Sequence, residues 1–252
     1  MEKQLIFLDV DGTLLFRNAD VCKSDVQALL RLQAEGHEIF INSGRSRSLI
    51  PRELTEQICF DGFICGSTYV EYRGEVLHRA SVEEETIRKI CRHALKNGWR
   101  VLLEGETAAY GIHGGVFHPN TDITDAPEAY LQTPADMRIT KFTFDRDIPD
   151  EIAAQFSGVR IINFGGYSEG IVCGYDKAFG MRLLCEKLSV SRENTVAFGD
   201  SVNDIEMLAY AGKGVVMHSA PAALDRYATL RADVDFGGVA FGIEKIFFGE
   251  SK

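Results

Sequence analysis

Apolar and polar positions fall into two textures along the chain. In the first, short continuous apolar runs stop abruptly at small or acidic residues. Residues 5–8 lead into Asp9-Val10-Asp11-Gly12-Thr13, residues 37–42 into Ser43-Gly44-Arg45, residues 62–66 into Ser67, and residues 195–198 into Gly199-Asp200-Ser201-Val202-Asn203-Asp204. Unbroken runs of this length predict strands buried on both faces, as in a parallel sheet. Helical periods lie between them. Ser24 predicts the cap of a helix carrying Val26, Leu29, Leu30 and Leu32 on one side and ending at Gly36. A helix from Ser46 is expected to hold Pro51 in an early turn, and Lys177–Leu188 presents Phe179, Leu183, Leu184 and Leu188. A further helix follows Asp204 as far as Ala211, and a hairpin over residues 69–79 turns at Arg73-Gly74.

The second texture occupies the middle of the chain. Ser81-Val82-Glu83-Glu84 reads as a capping box for a helix to about Lys96, stopped by Asn97-Gly98. Then come a strand from Trp99 to Leu103, a glycine-rich stretch over residues 105–115, a polar stretch with Pro119, Pro127 and Pro134, and strands over 139–144 and 159–164. The alternation in Lys141-Phe142-Thr143-Phe144 suggests a sheet covered on one face. The pattern therefore predicts a doubly wound, Rossmann-like α/β core made of residues 1–80 and 176–252, interrupted by an α+β domain over 81–175.

Strand ends carry the candidate chemistry. In open parallel sheets ligands bind beyond the carboxyl ends of the strands, so Asp9, Asp11, Ser43, Lys177, Asp200 and Asp204 are all eligible to converge there. Each feature alone has an ordinary reading: a DxD after an apolar run is often a solvated strand end, Ser-Gly-Arg is a common turn, and a lysine in a first helical turn is usually a surface residue. Their coincidence favours one site. Carboxylates gathered together repel unless a hard cation holds them, and an all-oxygen ligand set indicates Mg²⁺. Ser43 offers a hydroxyl, Gly44 a close backbone approach, and the following amides an anion site. His113 and His118 lack a ligand partner at a usual spacing and read as ordinary turn histidines, and Trp99 reads as core.

Composition narrows the function. With 252 residues and 45% apolar content the chain can bury a large core, and a net charge of −10 disfavours nucleic acid, whose binding draws on Lys and Arg. No apolar run reaches bilayer length, no cleavable leader precedes the first strand, and six cysteines show no CxxC. A cytoplasmic protein with reduced thiols, no membrane and no nucleic-acid partner is expected; oligomeric state is not legible.

These residues resemble the motifs of the haloacid dehalogenase superfamily. Asp9 to Thr13 (DVDGT) is similar to its first motif, Ser43 in NSGR to its second, Lys177 to its third, and Gly199 to Asp204 (GDSVND) to its fourth. The long insertion between the second and third resembles a type II (IIB) cap, and the whole is similar to Cof-type sugar-phosphate phosphatases. The resemblance implies a Mg²⁺-dependent phosphatase of a small phosphorylated metabolite working through an aspartyl-phosphate. Asp9 would be nucleophile and Asp11 acid and base, with Ser43 and Lys177 holding the phosphoryl group. Asp9, the backbone carbonyl of Asp11, and Asp200 would bind the metal, with Asp204 and Asn203 in support. Gly44, Arg45, Gly66 and Asn203 would meet substrate, and closure of the cap would exclude water and large esters. The same motifs also permit a phosphomutase, or a regulator that binds phosphorylated ligands without turnover. Departures from the Cof pattern are Ser43 for Thr, Cys65-Gly66-Ser67 for Asn-Gly-Ala, and His218-Ser219-Ala220 for Gly-Asn-Ala.

Overall fold

All four residues of the first strand, β1 (Leu5–Leu8), are wholly buried, which requires cover on both faces of the sheet it joins. The computed structural model of the chain, which describes residues 2–16, 21–113, 123–125 and 138–249, supplies that cover. His118 of the histidine pair falls outside these residues. In chain order the elements are β1, α1 (Lys23–Ala34), β2 (Glu38–Ser43), α2 (Arg52–Gln57), β3 (Gly62–Cys65), β4 (Tyr69–Tyr72), β5 (Glu75–Arg79), α3 (Glu84–Asn97), β6 (Val101–Gly105), β7 (Ala109–Ile112) and β8 (Ile123–Asp125). They continue with β9 (Ile139–Phe144), α4 (Asp150–Ala153), β10 (Val159–Asn163), β11 (Ser168–Val172), α5 (Lys177–Leu188), β12 (Thr195–Gly199), α6 (Ile205–Tyr210), β13 (Lys213–Met217), β14 (Leu230–Ala232) and α7 (Gly238–Ile243).

Two compact units result, one of Met1–Gly44, Pro51–Leu77 and Asp176–Lys252, the other of Arg45–Ile50 and His78–Tyr175. The first is built on a sheet ordered β14-β13-β12-β1-β2-β3-β4-β5, parallel from β14 to β3. Leu5, Phe7, Phe40 and Ile64 pack on one face against Met181, Leu184 and Cys185 of α5 and Met207 and Leu208 of α6. Helices α1 and α7 pack together as the second helical pair of the unit. The fold is thus the doubly wound α/β core expected, with a separate, mostly antiparallel second sheet.

That second sheet runs β10-β11-β9-β6-β7-β8, all antiparallel except β7 with β8. Its apolar face, with Val101, Leu103, Phe142 and Phe144, packs with Ile87, Ile90, Cys91 and Ala94 of α3. Trp99 joins this cluster, as read from the sequence.

Several local expectations are corrected. Helix α1 starts at Lys23 with Cys22 as its N-cap, and Ser24 contacts the Cys22 thiol (3.1 Å) rather than capping. Its buried stripe is Asp25, Ala28, Leu29 and Leu32, leaving Leu30 exposed. No single helix runs from Ser46: a 3₁₀ turn, Arg47–Leu49, ends at an extended Ile50, and Pro51 caps α2. The residue before a proline is driven from helical geometry by clash with the ring, which breaks the segment there. Ser81 does not form a capping box. The Val82 N–H donates to the Ile139 carbonyl (2.7 Å), which holds the chain against β9, so α3 begins only at Glu84.

Candidate active site

β1 delivers Asp9 between β2 and β12, and the Asp9 N–H donates to the Phe198 carbonyl (3.0 Å), stitching the first motif to the last strand before Gly199. Across this seam, Asp204 folds back on its own loop. Its Oδ2 accepts the N–H groups of Asp200 (3.0 Å) and Ser201 (2.9 Å) and the Ser201 hydroxyl (3.2 Å). This is a reciprocal capping box around the turn Val202–Asp204. Gly199 is required for it, since a Cβ there would stand 2.6 Å from the Asp204 Cβ. The remaining oxygen of Asp204 accepts Lys177 Nζ at 2.6 Å, and the same ammonium reaches Asp9 Oδ1 at 2.7 Å. The lysine in the first turn of α5 is therefore buried between two acids, not a surface residue.

Asp200 comes to rest on bare backbone. Gly12 has φ +86°, and a Cβ built on it would lie 2.1 Å from Asp200 Oδ2. Oxygens of Asp9, Asp200 and Asp204 lie within 4.8 Å of one another. Three carboxylates against one ammonium leave the cluster strongly anionic. Burial pushes Asp9 up to about 7, with Asp204 and Asp200 adding to the rise and Lys177 opposing it. Burial, then Asp204, moves Asp200 up to about 6. Burial alone would lower Lys177, but Asp9 and Asp204 outweigh it and its pKa is raised.

The donor set fits a hard divalent cation. It is all oxygen, it is over-supplied with negative charge, and Asp200 Oδ1 is buried with no hydrogen-bond partner. Such an orphan costs about 1–3 kcal/mol in a folded protein unless something binds it. Asp204, by contrast, already spends both oxygens on Lys177 and the loop, so it braces the site. The Asp11 side chain is exposed and lies outside the three-carboxylate group, yet near enough to Asp200 to add to the rise in its pKa.

The remaining candidates divide between the units. Ser43 ends β2 beside Cys65 of β3, and its carbonyl accepts the Gly66 N–H (2.9 Å). Gly66 and Ser67 both adopt left-handed backbone, with φ of 56° and 61°. Gly44 has no protein atom within 4 Å of where a Cβ would sit, so packing does not demand a glycine there. Arg45 belongs to the second unit, where it donates to the Leu49 carbonyl (3.0 Å). Asn203 lies exposed in the turn after Ser201. Sequence reasoning missed two contributors, Ser201 and Asn42. Asn42 is fully buried and donates its Nδ2 to the Lys177 carbonyl (2.8 Å). The signal was present: a lone amide ending the apolar strand 38–43.

Comparison with known proteins extends this picture. The sequence model of the haloacid dehalogenase-like hydrolases matches residues 6–242. YkrA of Bacillus subtilis (strain 168), whose name assigns it provisionally as a phosphatase, is 27% identical over 98% of both chains. Among solved structures, a hypothetical protein of Geobacillus kaustophilus HTA426 superposes with a TM-score of 0.83 at 26% identity, covering 96% of this chain and 98% of that one. BT4131, described as a subclass IIB sugar phosphatase of the same superfamily, shares the fold with a TM-score of 0.78 at 23% identity, covering 96% and 100%.

Proposed function

This chain belongs to the haloacid dehalogenase-like hydrolases and is a phosphatase among them, and from that premise we propose that it hydrolyses a small phosphate monoester, such as a sugar phosphate, with Mg²⁺ and through a phosphorylated Asp9. The observation that carries the reading is the buried cluster in which Lys177 bridges Asp9 and Asp204, while Asp200 brings an oxygen within 4.8 Å of both and leaves its Oδ1 without a partner.

In the proposed reaction the Asp9 carboxylate attacks phosphorus, the ester P–O bond breaks, and the departing alkoxide takes a proton from Asp11. Asp11 then removes a proton from water, which attacks phosphorus and releases Asp9 and inorganic phosphate. Lys177 and the Ser43 hydroxyl hold the phosphoryl oxygens, and Lys177 also orients Asp9. Asp9, Asp200 and the backbone of Asp11 would hold the cation. When bound, it neutralises charge on the phosphoryl group and keeps the neighbouring carboxylates ionised. Asp204 and Asn203 keep that loop in place. Gly44, Arg45 and Gly66 are proposed substrate contacts, and the inserted domain is proposed to select the leaving group.

The test is phosphate release from a panel of small phosphate esters, with Mg²⁺ and with excess chelator, for the wild type and Asp9→Asn. Metal-dependent release that disappears in a folded Asp9→Asn protein supports the reading. Full activity in that variant, or no release by the wild type from any ester, overturns it.

A further inference from the structure

Strand β2 turns alternate side chains to α5, and on that face Phe40 joins Ile64, Met181 and Leu184 in a wholly apolar cluster. Two residues after Phe40, the same face carries Asn42. An aliphatic side chain would continue the packing there, yet the chain buries an amide with no exposed surface. Only half of that amide is satisfied: Nδ2 donates to the Lys177 carbonyl at 2.8 Å, while Oδ1 is buried without a partner. A half-satisfied buried amide lowers stability relative to an apolar side chain of the same size, so its presence calls for another return.

The atom it holds belongs to the first residue of α5, whose side chain spans Asp9 and Asp204. One turn further on, Gly180 presses α5 against the neighbouring strand, since a Cβ there would lie 2.7 Å from Ile64. Ile64 is the cross-strand partner of Asn42. Close approach at Gly180 fixes the distance of the helix from the sheet, and the Asn42 bond fixes its rotation and axial position at the end where Lys177 emerges.

We infer that Asn42 is a positioning residue for phosphoryl transfer, tying Lys177 to the strand that carries Ser43 so that both phosphoryl-holding groups are set by one rigid element. This rests on the phosphatase reading above. Ser43 follows Asn42 directly, so a shift of α5 would separate groups that must meet the same phosphoryl oxygens, and small misplacements of such groups are costly in rate.

The test pairs Asn42→Leu, nearly isosteric and without a donor, with Asn42→Ala. For each, kcat and KM for 4-nitrophenyl phosphate, inhibition by orthovanadate, and the thermal midpoint are measured beside the wild type. The expected result is a Leu variant that melts at or above the wild-type midpoint yet has kcat reduced about tenfold or more, with orthovanadate inhibition weakened in parallel. The Ala variant should show the same kinetic loss at a lower midpoint. A structural role alone would lower the midpoint and leave kcat per folded molecule unchanged. That outcome overturns the inference, as does failure of both variants to fold. A wild type that releases no phosphate from 4-nitrophenyl phosphate or from any ester of the panel above overturns the phosphatase reading instead, and is told apart by that control.

Discussion

Two buried lysines, one in each unit, show what separates a reactive cluster from a structural one. Lys141, on β9, pairs with Glu169 (2.8 Å), and Glu104 lies close enough to raise its pKa while accepting the Thr143 hydroxyl (2.8 Å). Lys177 likewise sits between two carboxylates. In both cases burial would lower the lysine and the acids more than compensate, so each ammonium stays charged. The difference lies in the surplus. Around Lys177 a third carboxylate, Asp200, is admitted to the group by the missing side chain of Gly12, and its Oδ1 is left without a partner. Two acids sharing one buried ammonium suffice to hold a sheet together; a third acid with an unpartnered oxygen is what suits a cation.

The comparison predicts where loss of function and loss of stability should part company. Asp9→Asn should lower turnover by about 10⁴-fold or more while the thermal midpoint holds or rises, since a repelled buried charge is removed. Lys177→Met should reduce kcat/KM about 10²–10³-fold. Gly12→Ala should follow at about 10²-fold, because a methyl group there displaces Asp200; Mg²⁺ titration should show weaker metal dependence in step. Lys141→Met should invert the pattern, costing about 3 kcal/mol in denaturant unfolding by stranding its buried partners. A drop in kcat as large as that of Lys177→Met would break the distinction between the two lysines.

Asp25 sharpens the comparison with an acid that lacks any lysine. It is buried on α1 and accepts the Ala240 N–H (2.7 Å), capping the start of α7 from a neighbouring helix. Burial moves it up to about 6, against the pull of the Ala240 and Val239 amides. The folded state therefore holds this proton to higher pH than the unfolded chain, and stability should fall as pH rises from about 4 to about 6, by about 2–3 kcal/mol. Asn at this position still accepts from Ala240, so Asp25→Asn should flatten that slope in urea unfolding followed across pH. An unchanged slope would assign the pH dependence elsewhere.

Much of this was readable in the chain because it depends on local rules. β9 occupies residues 139–144 as its alternation indicated, and Arg73 and Gly74 both take the positive φ that a two-residue hairpin needs. Strands β7 and β11 were not legible, for a tertiary reason. Gly170 weakens β11 as a sequence signal, yet a Cβ there would lie 1.9 Å from the Phe142 ring, so the glycine serves the packing of another strand. The assignment of Arg45–Ile50 to the second unit was equally hidden. Ser48 donates to the Gly105 carbonyl (2.7 Å), and Leu49 packs with Leu102 and Ala109, contacts that no local pattern encodes. At the site, the acids and Lys177 stood out by residue type, whereas Asn42 and Ser201 act through backbone groups and left fainter marks.

The pairing of β1 with β12 also sets a timetable. Leu5 lies beside Thr195, and the Gln4 side chain donates to Asn194 across 190 residues of sequence. On the ribosome, the strand bearing Asp9 emerges before β12 and waits roughly 10–40 s for that neighbour at ordinary elongation rates. During that wait one edge of β1 is an open ladder, exposed to mispairing, while the intervening unit has all of its own strands in hand. A chain being synthesised thus presents Asp9, the proposed nucleophile, long before the segment around Asp200 and Asp204 arrives beside it.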